Sequence, residues 1–216
     1  STVKSFLFEA DNALSYKPGQ LVVFSLDIDG EAVKRPYTMT NRPNKNFFTV
    51  AVRRYDDGTG SVHMHDLSIG DTVEISEPKG NLYLRSMDHD TVFISTGSGA
   101  TPMIAMLKEY LERGSGYAYY LHGEKTHASR LFTETLMMLE AEHDNLTVAH
   151  SLSDEDWSGR TGFVQRHVPD VVDDYEDAHH YVCGVPAMVV DTESYLVDHG
   201  VAEANIFAEG WEDDAA

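Results

Sequence analysis

One stretch decides the fold: Thr91-Val92-Phe93-Ile94-Ser95-Thr96-Gly97-Ser98-Gly99-Ala100-Thr101-Pro102. Its first four residues are β-branched or apolar, and the run Thr91–Ser95 is typical of a buried strand, after which a glycine-rich turn follows. After the turn the sequence predicts a helix over Pro102–Arg113, with Thr101 as N-cap and Gly114 beyond its end. A strand, a glycine turn and a helix in this order predict the start of an α/β domain with a parallel sheet.

The turn Gly97–Pro102 also indicates a binding site, because free N–H groups and the dipole at a helix start favour a pyrophosphate. It is not the dehydrogenase fingerprint, since Pro102 replaces the third glycine, and no Walker Gly-Lys-Ser/Thr follows. Ser98 is not a nucleophile elbow, because Thr96 and Ala100 stand where glycines are needed. A tight turn without a ligand is the alternative at this point.

On either side of this stretch the chain has two different patterns. Before it, short β-branched or aromatic runs are separated by turn signals, which indicates a barrel or sandwich. After it, strand-like and helical segments alternate. The sequence therefore predicts an all-β domain over residues 1–88 and an α/β domain over residues 89–216. The predicted strands are Gln20–Leu26, Phe47–Val52, Thr72–Ile75, Tyr117–Leu121, Leu146–Ala149, His180–Cys183 and Asn205–Ala208, and the further predicted helices lie near Leu131–Glu142 and Ala187–His199.

Composition excludes several classes of function. The net charge of −20 argues against nucleic acid and anionic membranes as partners. The acidic residues are scattered, which favours adaptation to high salt over an ordinary acidic cytosolic surface. No apolar run approaches the roughly 18 residues of a membrane span, and the first residues lack a signal-peptide stretch, so we expect a cytoplasmic protein.

Cys183 is the one cysteine of the chain, so the sequence predicts no internal disulfide, iron–sulfur cluster or structural zinc. The eleven histidines are scattered and form no His-Glu-x-x-His, and we predict no metal site.

A second cluster of polar and aromatic residues lies in the β half, at Arg35-Pro36-Tyr37-Thr38. Arg35 offers a bidentate fork for a phosphate, Tyr37 an aromatic plane and Thr38 a hydroxyl. On a strand, Arg35 and Tyr37 share one face, and Thr38 points to the other. An ordinary edge-strand arginine is the alternative interpretation.

Five segments in order resemble the ferredoxin–NADP reductase superfamily. Arg35–Thr38 resembles its R-x-Y-[ST] flavin signature, and Gly58–Met64 its second flavin segment. Gly97–Pro102 resembles the G-T-G-x-x-P nicotinamide loop, with Ser98 in place of threonine. Cys183–Met188 resembles the C-G-x-P-x-M segment, and Glu209–Trp211 the near-terminal Glu-x-aromatic.

The resemblance implies an N-terminal antiparallel six-stranded flavin-binding β-barrel and a C-terminal parallel-sheet α/β domain for NAD(P)H. It implies FAD, with FMN left open, and hydride transfer to flavin N5. By the same resemblance Thr38 would hydrogen-bond N5, Cys183 would pack on the nicotinamide, Glu209 would tune flavin protonation and Trp211 would stack on the flavin.

The resemblance also implies the cofactor contacts. Those to the flavin are Arg35, Pro36, Tyr37, Thr38, Val52, Arg53, Gly60, Ser61, Val62, Thr101 and Trp211. Those to NAD(P) are Gly97, Ser98, Gly99, Thr101, Pro102, Lys125, Ser151, Arg160, Cys183, Gly184 and Met188.

Signals for the nucleotide preference conflict. An acidic residue after the second strand of such a unit binds the NAD ribose, and a basic one accommodates the NADP phosphate. Glu124 and Lys125 stand there side by side. Arg160 matches an arginine that relatives use on the 2′-phosphate, whereas Leu152 follows Ser151 where NADP-specific relatives often carry another arginine. We predict NADP(H), with NAD(H) open.

Because the chain cannot ligate its own cluster, we expect a separate redox partner, ferredoxin or flavodoxin first, and a monomeric enzyme. The alternatives are an NAD(P)H-dependent flavin or ferric-siderophore reductase, and an electron-transfer subunit of a larger complex.

Overall fold

The N-terminal half is built from antiparallel strands. The computed structural model describes residues 3–210. The elements of this half are β1 Val3–Glu9, β2 Leu21–Ile28, β3 Glu31–Thr38, β4 Phe47–Arg53, α1 Thr59–Asp66 and β5 Glu74–Ile75. β1 pairs with β4, and β2 lies between β3 and β5, antiparallel to both. The predicted antiparallel domain is confirmed.

Two sheets share one core, in which Phe24, Phe48 and Met64 are fully buried. The described N-terminal residues form five strands where six were predicted. In place of a sixth, Lys79 makes an isolated antiparallel bridge with Leu21. Pro78 lacks an N–H, so the ladder cannot extend through it.

The C-terminal half is an α/β domain with one parallel sheet, as predicted. Its strands are β6 Thr91–Thr96, β7 Ala118–Glu124, β8 Leu146–Leu152, β9 Arg160–Thr161, β10 His179–Gly184 and β11 Ile206–Gly210. Its helices are α2 Ala100–Arg113, α3 Thr133–Glu142, α4 Val168–Val171 and α5 Pro186–Asp198. None of the helices within residues 3–210 is long and apolar enough to cross a membrane.

The order of the strands places the functional crevice. The sheet runs β11-β10-β6-β7-β8-β9, so the chain enters in the middle with β6 and builds outward on one side. It then returns to the other side of β6 with β10. In such sheets ligands bind at the carboxyl ends of the strands, where the order reverses. That point lies between β6 and β10.

The start of α2 differs from the prediction. Gly97–Gly99 form a 3₁₀ turn that continues into a helix beginning at Ala100. Thr101 therefore lies inside the helix, and its hydroxyl donates to the carbonyl oxygen of Ser98 at 2.8 Å. The predicted N-cap role of Thr101 is wrong, because the helical turn begins before it. Gly114 follows the end of α2 as predicted.

Candidate functional site

The glycine turn after β6 lies directly against the end of β10. A Cβ atom on Gly99 would lie 2.2 Å from the carbonyl oxygen of Cys183 and 2.8 Å from the amide nitrogen of Gly184. Those distances are far below van der Waals contact, so only glycine lets the turn come this close. Gly97 adopts a positive φ of 53°, which glycine also tolerates best. The structure therefore brings together two segments that lie more than eighty residues apart in the sequence.

The end of β10 is packed equally closely on its other side. A Cβ on Gly184 would lie 2.3 Å from Oγ1 of Thr96 and 3.0 Å from the sulfur of Met188. Oγ1 of Thr96 is buried and has no hydrogen-bond partner among the described residues. A buried polar atom without a partner is costly, so this crevice suits a polar ligand such as a dinucleotide.

Two of the predicted catalytic residues lie side by side in the sheet. Cys183 on β10 is opposite Glu209 on β11 and opposite Ser95 on β6, and Cys183 is fully buried. Burial raises the pKa of the Glu209 carboxyl, and a backbone hydrogen bond with Leu82 opposes that rise only in part. Trp211, the predicted stacking aromatic, lies outside the described residues.

On the β domain, Arg35 lies across the start of α1. A Cβ on Gly60 would lie 2.7 Å from Cγ and 2.9 Å from Nε of Arg35. The guanidinium donates to the carbonyl oxygen of Lys34 at 3.0 Å through Nη1. A guanidinium next to the N–H groups of a helix start is suited to phosphate. Predicted residues from β3 and from the second flavin segment are therefore in contact.

The neighbours of Arg35 on β3 differ in burial and in contacts. Tyr37 packs edge-to-face on Phe24, with 5.4 Å between ring centroids. Thr38, at the end of β3, is buried, and Pro36 is exposed.

Three residues predicted to contact the flavin have other partners within the chain. The hydroxyl of Ser61 donates to Gly58 and accepts from the amide of Tyr55 at 3.0 Å, so it closes the turn before α1. The amide of Val62 also donates to Gly58, at 3.0 Å. Val52 is buried in the β core.

Arg53 crosses to the α/β domain. Its Nη2 donates to Oε1 of Glu124 at 2.9 Å and to the carbonyl oxygen of Ser129 at 2.7 Å. Burial raises the pKa of Glu124, but hydrogen bonds and charges from His122 and Arg53 outweigh it and lower the pKa to about 2. Glu124, the candidate ribose ligand, is therefore held as a buried carboxylate by the other domain.

The remaining nucleotide candidates lie near the carboxyl ends of β7 and β8, since Lys125 follows β7, Ser151 is the second-last residue of β8 and Arg160 begins β9. Lys125 and Arg160 are exposed, and Arg160 lies opposite Ser151 in the pairing of β9 with β8. Oγ of Ser151 is buried without a hydrogen-bond partner in the part of the chain that the structure describes. Exposed cations around a buried hydroxyl are suited to an anionic sugar phosphate.

Sequence reasoning missed Ser95 and His122. Oγ of Ser95 lies 2.9 Å from Nδ1 of His122, and both side chains are buried. Nε2 of His122 in turn lies 3.7 Å from Oε1 of Glu124. The alternation of Tyr120, His122 and Glu124 along one strand could have shown that they share a face.

Comparison with known proteins assigns both halves. The model of the oxidoreductase FAD-binding domain matches residues 2–83, and that of the oxidoreductase NAD-binding domain matches residues 93–194. The FAD/NAD-binding domain of nitric oxide dioxygenase from Vibrio cholerae O1 biovar El Tor has the same fold, with a TM-score of 0.89 at 24% identity over 98% of this chain and 93% of that one. A ferredoxin NADP+ reductase from Neisseria gonorrhoeae with bound FAD and NADP gives 0.84 at 19% identity, over 96% and 92%.

Two curated relatives align along most of this chain. The reductase component DmpP of phenol 2-monooxygenase from Pseudomonas sp. (strain CF600) is 31% identical over 96% of this chain, which spans only 61% of that protein. Ferredoxin–NADP reductase B of Sorangium cellulosum (strain So ce56) is 32% identical over 86% of this chain and 78% of its own length. The chain therefore belongs to the ferredoxin–NADP reductase family of oxidoreductases, with an FAD-binding domain followed by an NAD-binding domain.

Proposed function

We propose that this protein passes electrons between NAD(P)H and a separate one-electron carrier, ferredoxin or flavodoxin, through bound FAD. The observation that carries the proposal is the contact of the Gly97–Gly99 turn with Cys183 and Gly184, at the point where the strand order reverses. FAD, when bound, accepts two electrons as a hydride and can release them one at a time. The names of the relatives, a ferredoxin reductase and an oxygenase reductase component, support a protein partner.

The β domain, residues 1–88, would hold FAD. Arg35 and the first turn of α1 would bind the phosphates, since a guanidinium and the start of a helix already lie together there. Gly60 leaves space for Arg35, and Pro36, Tyr37, Val52, Arg53, Ser61, Val62, Thr101 and Trp211 complete the proposed flavin set. The hydroxyl of Thr38 would donate a hydrogen bond to flavin N5.

The α/β domain, residues 89–216, would hold the nucleotide. Gly97, Ser98, Gly99 and Pro102 would receive its pyrophosphate, and Gly184 and Met188 would border the nicotinamide. Cys183 is fully buried beneath this edge and would fix the approach of the ring and exclude water. Glu209, whose pKa burial raises, would hold a proton on its carboxyl group at a higher pH than an exposed glutamate does.

NADP(H) is the nucleotide that we propose. Because the carboxylate of Glu124 is engaged by Arg53, Lys125 is the side chain that the end of β7 offers to solvent. Arg160 and Ser151 would add a cation and a hydroxyl for the 2′-phosphate.

For the setting of the enzyme, we propose a cytoplasmic monomer. A reducing compartment suits a chain with a single cysteine. Ferredoxin or flavodoxin would exchange electrons with the flavin one at a time.

The absorbance spectrum of the purified protein tests the cofactor. A yellow protein, or one that becomes yellow on adding FAD, is expected, and a protein that stays colourless overturns the proposal. Anaerobic titration of the holoenzyme with NADPH and NADH should then bleach the flavin, with NADPH effective at the lower concentration.

A separate assay tests the acceptor. Ferredoxin, flavodoxin, free FMN and a ferric siderophore are compared under identical conditions. The proposal is supported if the enzyme turns over at a much lower concentration of ferredoxin or flavodoxin than of free flavin. Turnover at lower concentrations of free FMN or of the ferric siderophore would instead identify a flavin or siderophore reductase.

A further inference from the structure

A chain of buried polar side chains runs from the interface between the two domains to the carboxyl edge of the parallel sheet. Arg53 of the β domain is paired at 2.9 Å with Glu124, at the end of β7. Oε1 of Glu124 is 3.7 Å from Nε2 of His122, whose Nδ1 is 2.9 Å from Oγ of Ser95. Of these four side chains, Arg53 is the most exposed, at 13%.

At its other end the chain reaches the predicted nicotinamide edge. Ser95 on β6 is the register partner of Cys183 on β10. The hydroxyl of Tyr120, whose ring packs against that of His122 with 6.4 Å between centroids, lies 3.5 Å from the carbonyl oxygen of Ala100, the first residue of α2 after the glycine turn. The chain therefore connects an arginine of one domain to both segments that form the crevice of the other.

The register of the sheet explains why these groups meet. Cys183, Ser95, His122 and His150 occupy one transverse row across β10, β6, β7 and β8. Partners in register on parallel strands share a face, so the row forms a polar layer just inside the carboxyl edge. His150 approaches the ring of His122 with 6.1 Å between centroids, and burial lowers the pKa of His150 to about 4.

A buried polar chain of this kind constrains each of its members. Hydrogen bonds in a low-dielectric interior hold side chains rigidly, and loss of a partner leaves a buried group unsatisfied. Between Glu124 and His122 the link is an electrostatic contact, since Nε2 of His122 has no hydrogen-bond partner among the described residues. The groups facing His122 are Ser95, Tyr120, Glu124 and His150.

We propose that the chain Arg53–Glu124–His122–Ser95 couples the position of the β domain to the sheet layer around Cys183. In this view Glu124 and His122 are positioning residues and do not bind nucleotide. For reactivity the inference rests on the proposed function, but the coupling itself is measurable without nucleotide, because Cys183 is the single cysteine.

The rate of thiol labelling at Cys183 in the FAD-loaded enzyme tests the coupling. Ser95→Ala and Glu124→Gln are compared with the parent and with each other in a double variant. Each single variant should raise the labelling rate constant about tenfold through more frequent local opening. The double variant should label no more than about twofold faster than the faster single one, because both break the same chain.

Two matched controls remove similar groups elsewhere. Thr91→Val removes a buried hydroxyl from the other end of β6, where it donates to His89. Glu109→Gln removes a buried carboxylate from the second contact between the domains, which Glu109 makes with Arg42 at 2.5 Å. Both should label within about twofold of the parent. If Glu124→Gln does not fold, Arg53→Lys tests the same contact from the other domain.

Two outcomes overturn the coupling: Glu124→Gln labels like the parent, or the two single effects multiply in the double variant. Flavin reduction by NADPH supplies the second readout. If Glu124 is a positioning residue, Glu124→Gln should reduce its flavin about tenfold more slowly than the parent at saturating NADPH, with little change in the half-saturating NADPH concentration. If neither nucleotide reduces the parent flavin, the proposed function fails, and the labelling result still decides the coupling.

Discussion

Replacing Glu124 by Gln should remove a pH-dependent part of the stability. In the folded protein the pKa of Glu124 is lowered from 4.5 to about 2. Each unit of pKa corresponds to about 1.4 kcal/mol, so the ionised side chain contributes up to about 3 kcal/mol at neutral pH. Solvent screens this contribution little, because the side chain of Glu124 is only 6% exposed. Removing one partner of a buried ion pair costs a similar amount, about 3–5 kcal/mol.

The sign follows from the direction of the pKa change. Because the folded-state pKa is below the unfolded one, the stabilisation is complete above pH 4.5 and is lost as the pH falls towards 2. Glutamine does not ionise, so the difference in unfolding free energy between parent and variant should shrink over this range. Groups that titrate equally in both proteins cancel in that difference.

The difference in unfolding free energy is measured by denaturant unfolding of the FAD-loaded parent and variant. Unfolding is monitored by circular dichroism at a series of pH values from neutral to about pH 3. Glu155→Gln is the matched control, since Glu155 also has a lowered pKa but pairs with His127 on the surface. The reasoning would be refuted if the loss of unfolding free energy in Glu124→Gln stays constant with pH, or if it is below about 1 kcal/mol at neutral pH.

Further predictions concern the two binding segments and Glu209. Gly99→Ala should keep its FAD but reduce the flavin with NADPH at least about tenfold more slowly in anaerobic stopped flow, because its Cβ would meet the Cys183 carbonyl oxygen at 2.2 Å. Gly30→Ala controls for backbone strain alone, since Gly30 has a φ of 85° and its Cβ would meet nothing within 4 Å, and this variant should reduce its flavin at the parent rate. Arg35→Ala should weaken FAD binding about tenfold or more in a fluorescence titration, whereas Lys34→Ala should not; equal affinity would exclude the phosphate role. Glu209→Gln should melt higher than the parent at alkaline pH and equally in acid, since a raised carboxyl pKa is a cost present only when the group ionises; a pH-independent difference would contradict this.

Local pattern was enough to predict most of the fold. The run Thr91–Ser95, with its apolar centre Val92–Ile94, and the glycines after it determine a strand, a turn and a helix through interactions between near neighbours. Helix α1 was missed, because its residues Thr59–Asp66 have little amphipathic pattern and the Gly58 turn starts it. The N-cap prediction at Thr101 failed for a related reason, since the glycine turn already adopts helical geometry.

In the candidate site, too, the segments with local motifs were predicted, and a contact between distant residues was not. Contiguous motifs predicted which segments would meet, and the structure brings Gly99 onto Cys183 and Arg35 onto Gly60. The pair Arg53–Glu124 joins residues 71 positions apart and belongs to no motif. This pair forms only when the two domains dock. Local sequence patterns describe contacts within one segment and do not predict contacts between segments that are far apart in the chain.

That docking changes how the end of β7 is interpreted. Lys125 follows the end of β7 and is exposed, whereas the side chain of Glu124 is buried against Arg53, so the two residues are not equally available to a ligand. Arg53 holds the acidic residue inside, where the hydrogen bond from Arg53 and the influence of Arg53 and His122 outweigh burial and keep the carboxyl ionised. An acidic residue at this position is a sign of NAD only where its carboxylate is available to a ribose. Here the β domain engages that carboxylate, so we propose that the exposed cations decide the nucleotide preference and that the glutamate serves the contact between the domains.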